Sequence, residues 1–199
     1  MKNNFLKFAA TLFIICLAAS GLLSVVHRFT LPKIIEQAQA EESQSLKDVF
    51  PQAKSFEPVK KGDDVFYYKA LDDKNAVLGY AFKASRRGYS SDIVTMVGMG
   101  PDGVIRKIKI LSQNETPGLG TRVTEVIQKE TLWDVLLKKV QLKEKPEPWF
   151  QAQFSGQKVE TLASSVDAIS GATITSQAVI VAVQGRAGEV MEMVRHESR

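Results

Sequence analysis

The sequence predicts an α+β domain, an antiparallel sheet with flanking helices, preceded by one N-terminal transmembrane helix. Three observations predict it. Phe8–Val26 is 19 residues without a charge. Four aromatic or β-branched runs follow, paired by turn-forming residues. Two later segments switch to helical spacing. Hairpins in one part of a chain and helices in another mark the α+β class. A length of 199 residues suits one modest domain plus a small addition.

The N-terminal run comes first. A spanning helix needs about 20 apolar residues, whereas the apolar part of a cleaved signal peptide is usually about 7–15. Lys7 closes one end of the run, and His27 and Arg28 close the other. The small-x-small triplet Ala38-Gln39-Ala40 lies too far beyond the run to serve as its cleavage site. Cys16 lies inside the run and not after it, which opposes a lipoprotein and suits a small buried apolar residue. The expected layout is a short tail at 1–7, a retained span at 8–26, a juxtamembrane stalk at 27–50 and a domain at 51–199. Lys2 and Lys7 before the span balance Arg28 and Lys33 after it, so charge leaves the orientation open.

Within the stalk, Leu31–Phe50 is polar and helix-compatible, with Pro32 near its start and Pro51 ending it. Asp64–Ala70 and Ala76–Ala84 read as strands around the turn Asp72-Asp73-Lys74-Asn75. Asp92–Met99 and Val104–Leu111 read as a second pair around Pro101-Asp102-Gly103. Over Thr121–Val140 the period changes, and Leu132, Trp133, Leu136, Leu137 and Val140 share one helical face. A polar, proline-broken loop is expected at 143–149. From about Thr175 to Val194 an apolar stripe of Val179, Val183, Ala187, Val190, Met191 and Val194 marks an amphipathic helix.

Composition removes several functions. The net charge is +4, but residues 1–28 supply Lys2, Lys7 and Arg28 with no acid, and the rest holds 23 basic against 22 acidic side chains. The body therefore has no basic excess to neutralise a phosphate backbone, and nucleic acid is not an expected partner. One cysteine excludes an internal disulfide and a Cys-type zinc site. The two histidines, His27 and His196, abut the apolar run and the C-terminus, positions unsuited to a triad histidine held in a cleft.

Chemistry concentrates in three stretches. Asp167-Ala-Ile-Ser170-Gly171-Ala172-Thr173-Ile174-Thr175-Ser176 opens the last helix. Gly171 and Ala172 let a ligand approach the backbone, four hydroxyls crowd together, and a helix start offers free N–H groups and a positive dipole end. That is a phosphate-site composition; it is equally that of an ordinary capped helix. A Walker loop is excluded because no lysine follows the glycine, and GxGxxG is absent here. In Glu115-Thr116-Pro117-Gly118-Leu119-Gly120-Thr121, Pro-Gly fixes a tight turn and Gly120 is expected to take an unusual dihedral. This stretch is also compatible with a plain strand-to-helix connector. Arg86-Arg87-Gly88-Tyr89-Ser90-Ser91-Asp92 is a turn before a strand, or simply a solvated loop.

Asp167-x-x-Ser170-Gly171-Ala172-Thr173-x-Thr175 resembles the motif of covalently flavinylated FMN-binding domains, and ETPGLG at 115–120 is similar to their second marker. Gly88-Tyr89 is a weaker third, followed here by Ser91-Asp92 where relatives often carry Gly-Pro. With the single span and the length, nearly the whole chain resembles the G subunit of the Rnf ion-translocating ferredoxin:NAD oxidoreductase complex. The resemblance implies FMN esterified through its phosphate to Thr175, installed by a flavin transferase that uses FAD and a divalent metal. It implies Ser170, Gly171, Ala172 and Thr173 around the phosphate, and Thr116, Gly118 and Leu119 near the ring. It further implies other membrane subunits as partners, the domain on the extracytoplasmic side of the cell membrane, electron relay without a net reaction by the subunit alone, and no catalytic or metal-binding residue of its own. The alternatives are the C subunit of the sodium-pumping NADH:quinone reductase, which shares the motif but is typically longer, or a single-span module holding a phosphate ligand without a covalent bond.

Overall fold

The computed structural model describes residues 2–62, 64–126 and 147–197. The helical face expected around Leu132–Val140 lies outside them. The chain divides into two compact units, residues 1–43 and 44–199.

Helix α1 runs unbroken over Lys2–Val49, so the span and the helix expected after it are one element with Pro32 inside. Among the described residues it is the one helix long and apolar enough to cross a membrane. The large apolar side chains of its apolar run are uncovered: Leu12, Phe13, Ile14, Leu22 and Leu23 are all exposed. Such a surface suits hydrocarbon and is unfavourable in water. The helix ends at Phe50, whose N–H donates to the Leu46 carbonyl at 3.0 Å, because Pro51 disfavours helical backbone in the residue before it.

The second unit is built on a five-stranded antiparallel meander in the order β1-β2-β3-β4-β5. The strands are β1 Ser55–Lys61, β2 Asp64–Leu71, β3 Val77–Arg87, β4 Asp92–Met99 and β5 Ile105–Ser112. Strand β1 was not expected. Its sequence SFEPVKK carries Pro58, which a central strand would not accommodate; as an edge strand it tolerates a residue without an N–H. The uneven spacing of Ile105, Ile108 and Ile110 has a structural cause. Met99 pairs with Ile105 and Gly98 with Lys107, so Arg106 is bulged and all three isoleucines reach the same core.

Among the described residues, three helices and two short 3-10 turns complete the unit. Gly120–Thr124 forms a 3-10 turn rather than the start of an α-helix. Helix α2, Trp149–Ala152, begins at Trp149, where a loop was expected, directly after Pro148. A second 3-10 turn, Val159–Thr161, leads into helix α3, Leu162–Ser165. Helix α4 runs over Thr173–Glu197 and packs chiefly on β3 and β4.

Strand periodicity splits the sheet's side chains between two faces. Tyr67, Phe82, Val97 and Ile110 join Val179, Ile180, Val183, Ala187 and Val190 of α4 in one core. Their neighbours Ala70, Ala81 and Met96 face the other way and enclose Leu46, Val49 and Phe50 at the end of α1. Two glycines make room for that end. A Cβ at Gly79 would lie 2.6 Å from Phe50 Cζ, and one at Gly98 would lie 3.1 Å from Phe50 Cε2. Lys109 adds an ion pair to Asp48 at 2.5 Å. At the far end of α4, Glu197 accepts from the buried Tyr67 hydroxyl at 2.9 Å and pairs with Lys69 at 2.9 Å.

Gly79→Ala tests the Phe50 seat. Its Cβ would also meet the Met99 carbonyl oxygen at 2.4 Å, so backbone must move. Overpacking of this kind costs roughly 1–3 kcal/mol. Thermal unfolding followed by near-UV circular dichroism should show a lowered midpoint; an unchanged midpoint would contradict the packing described.

Candidate functional site

Three loops and one helix end meet at one end of the sheet. They are the β3–β4 tip at 88–91, the loop after β5 at 113–120, the loop at 167–172 and the first turn of α4. Each has a local reason for its shape. At the tip, Gly88 N–H donates to the Ser91 carbonyl at 2.8 Å. In the second loop, Leu119 N–H donates to the Thr116 carbonyl at 3.2 Å, closing a turn with Pro117 and Gly118 at its centre. Gly118 has φ +75, the value that makes glycine the preferred third residue of a type II turn. Gly171, at φ +79, turns the chain into α4 in the same way. Ser176, fully buried, accepts from Ile169 N–H at 3.0 Å and ties the third loop to the helix.

Gly120 does not behave as expected. Its φ is not in the left-handed region; what it supplies is space. A Cβ there would lie 2.6 Å from Glu115 Cβ and 2.9 Å from Thr175 Oγ1. Gly88 does the same from the other side, where a Cβ would lie 2.7 Å from Glu115 Oε1. Both glycines therefore clear the same object, the Glu115 side chain.

Glu115 is 4% exposed and organises the site. Its Oε1 accepts from Ser90 N–H and Ser91 N–H, each at 3.0 Å, and from the Ser91 hydroxyl at 3.3 Å. Its Oε2 accepts from Tyr89 N–H at 3.1 Å and from the Thr175 hydroxyl at 2.6 Å. Burial by itself would push the Glu115 pKa up. The Thr175 hydroxyl and the Ser91, Ser90 and Tyr89 N–H groups outweigh it and hold the carboxyl below its ordinary value. In the sequence Glu115 is one residue of the 115–121 loop with no assigned role, and no local pattern marks it as buried.

Next to this carboxylate lies a cavity of about 400 Å³, lined by Tyr89, Glu115, Thr116, Leu119, Gly120 and residues 171–175. Six of the expected site residues line it together: Thr116, Leu119, Gly171, Ala172, Thr173 and Thr175. Two do not. Gly118 lines a separate groove with Thr121, Arg122 and Glu125. Ser170 is exposed, and its carbonyl accepts from Arg122 at 3.5 Å. The floor of the cavity is the start of α4. The first bond of that ladder runs from Ser176 N–H to the Ala172 carbonyl at 2.9 Å, so the N–H groups of Thr173, Ile174 and Thr175 precede it. The walls are apolar and uncovered. Among the described residues beyond 50, the three most exposed large apolar side chains are Tyr89 at 67%, Ile174 at 57% and Leu119 at 47%, and all three line this cavity.

The Glu115 anchorage has a pH signature. A carboxyl whose folded pKa is depressed stabilises fully above its unfolded value, here 4.5, and that stability is lost as pH falls through the lower folded value. Wild type and Glu115→Gln should therefore differ most in melting temperature near pH 7 and converge as pH falls below 4.5 and through the depressed folded value. A gap independent of pH would contradict an ionised Glu115.

Residues 88–186 match the FMN-binding domain family, and residues 1–49 match the RnfG N-terminal region. The G subunit of the ion-translocating oxidoreductase complex of Methanosarcina acetivorans is 30% identical over 190 residues, covering 89% of each chain. The G subunit of the proton-translocating ferredoxin:NAD(+) oxidoreductase complex of Clostridium ljungdahlii is 24% identical, covering 92% of this chain and 90% of that one. The G subunit of the Na(+)-translocating ferredoxin:NAD(+) oxidoreductase complex of Acetobacterium woodii is 27% identical, covering 87% and 85%. With a matched N-terminal region, a matched flavin-binding domain and relatives aligned over most of their length, the chain belongs to the G-subunit family of Rnf-type ion-translocating oxidoreductases.

Proposed function

We propose that this chain is a membrane-anchored flavoprotein subunit, carrying FMN esterified through its phosphate to Thr175 and relaying electrons within an ion-translocating oxidoreductase complex. One observation carries the reading: the Thr175 hydroxyl stands in the first turn of α4, on the wall of an open cavity and against a buried carboxylate.

The residues present fit FMN in two respects. The N–H groups of residues 173–175 and the positive end of a 25-residue helix suit a phosphodiester anion. Tyr89, Leu119 and Ile174 provide exposed apolar surface of the kind a flat ring covers. FMN supplies the one- and two-electron chemistry. The chain's own residues hold and orient it. Thr173 and Thr175 lie on the phosphate side, Gly171 and Ala172 admit it to the backbone, and Thr116 and Leu119 flank the ring. In this reading Ser170 shapes the approach to α4, and Gly118 acts by setting the turn that presents Leu119.

The apolar run at 8–26 spans the membrane, and the helix continues as a stalk toward residue 50. The domain faces the extracytoplasmic side, where a covalent tether prevents loss of the flavin. Neighbouring membrane subunits exchange electrons with it, and a flavin transferase that uses FAD and a divalent metal installs it.

Intact mass and in-gel ultraviolet fluorescence after denaturation test the attachment. Wild type expressed with an active flavin transferase should gain one FMN and fluoresce. Thr175→Ala should do neither, and Thr175→Ser should keep both. A dark, unmodified wild type would leave the motif as a helix cap. For orientation, protease added to intact spheroplasts should digest the domain, and full protection would reverse the assignment.

A further inference from the structure

We propose that Glu115 acts as the base that readies Thr175 for flavin attachment and thereby selects which hydroxyl is modified. The inference rests on the covalent reading above and adds a chemical role for a residue outside the flavin motif.

A buried carboxylate is expensive to hold. The backbone N–H groups at the β3–β4 tip offset part of that cost and occupy both of its oxygens, which the single oxygen of an amide could not do. Its Oε2 is in addition a proton acceptor placed 2.6 Å from Thr175 Oγ1. Its other contacts are all donors, the N–H groups of Tyr89, Ser90 and Ser91 and the Ser91 hydroxyl, and donors favour the ionised form. An ionised carboxylate has no proton to give, so the hydrogen it shares with Thr175 is the threonine's own. The hydroxyl proton is thus committed to Glu115, and the lone pairs of Oγ1 remain available to an electrophile.

The arrangement also discriminates. Thr173 and Thr175 both lie on α4 and both line the cavity. Of the two, Thr175 is the one hydrogen-bonded to a carboxylate. Ser176, next along the helix, is not among the residues that line the cavity, and its hydroxyl oxygen accepts from Ile169 N–H. Paired nucleophile and base within hydrogen-bond reach is the general signature of an activated hydroxyl.

The step balances without an oxidant or reductant. Thr175 Oγ1 forms a bond to the flavin-side phosphorus of FAD. The pyrophosphate P–O bond on that phosphorus breaks, and AMP departs with the electron pair. The Thr175 proton passes to Glu115 and from there to solvent.

The test is single-turnover labelling of the full chain in detergent, with FAD, Mg²⁺ and excess flavin transferase, read by intact mass and in-gel fluorescence. Glu115→Gln, folded by near-UV circular dichroism, should be labelled at least ~100-fold more slowly, the lower end of what general base assistance contributes. Glu115→Asp keeps the charge on a shorter arm and should fall between Gln and wild type. The ratio of wild-type to Gln rates should shrink as pH falls through the carboxylate range, because protonated Glu115 can no longer accept; transferase titration cancels in that ratio. Gln labelled at the wild-type rate, or a ratio that does not change with pH, overturns the proposal. If the Gln chain does not fold, Asp labelled at the wild-type rate overturns it. Failure of the two readings is distinguishable. A wild type that never gains FMN removes covalent attachment itself, whereas normal wild-type labelling with an equally fast Gln variant removes only the role of Glu115.

Discussion

The carboxylate of Glu115 is the point on which the site depends. It gathers three N–H groups from the β3–β4 tip and one hydroxyl from α4, partners that lie between 24 and 60 residues away in the chain. Hydrogen bonds to a charged group contribute about 1.5–3 kcal/mol each, and together they offset a desolvation cost of several kcal/mol. The balance holds only while every partner is in place. This is why the surroundings are so tightly specified: Gly88 and Gly120 leave no Cβ in the way, and the Pro117-Gly118 turn brings the loop back over the carboxylate.

The sheet makes that meeting possible. A meander with one face on α4 and the other on the end of α1 is covered on both sides, so its strand ends are held in fixed relation. The β3–β4 tip and the exit of β5 then emerge side by side at one end. Helix α4 is tied at its start through Thr175 and near its end through Glu197, which restrains rotation of the helix about its own axis. A ligand held at its first turn would share that restraint. The apolar residues around the cavity complement this, since Tyr89, Leu119 and Ile174 are left largely exposed by the domain.

Much of the architecture was legible in the residues. Local turn chemistry identified both expected hairpins, and a 3.6-residue apolar stripe identified α4. What escaped was decided by neighbours. Strand β1 contains Pro58, a residue that argues against a strand unless one knows that it lies on an edge. Trp149 begins a helix where prolines suggested a loop, and buried Gln151 then joins the Val123 carbonyl to Ile110 N–H at the β5 edge. Pro32 suggested a new start, yet α1 passes through it. Gly120 looked like a source of unusual dihedrals and turned out to be a gap for another side chain.

The sequence by itself determined the long uncharged run, the class of fold and the small, hydroxylated stretch at 167–176. These are properties of adjacent residues: an uncharged run, a period, a cluster of small and hydroxylated side chains before a helix. Only the tertiary structure decided that Glu115 lies beneath Thr175, that Leu119 and Tyr89 share a cavity with it, and that Gly118 and Ser170 stand outside that cavity. The physical reason is range. Propensity and periodicity act over a few residues, whereas burying a charge is possible only when distant segments bring their donors to it at once.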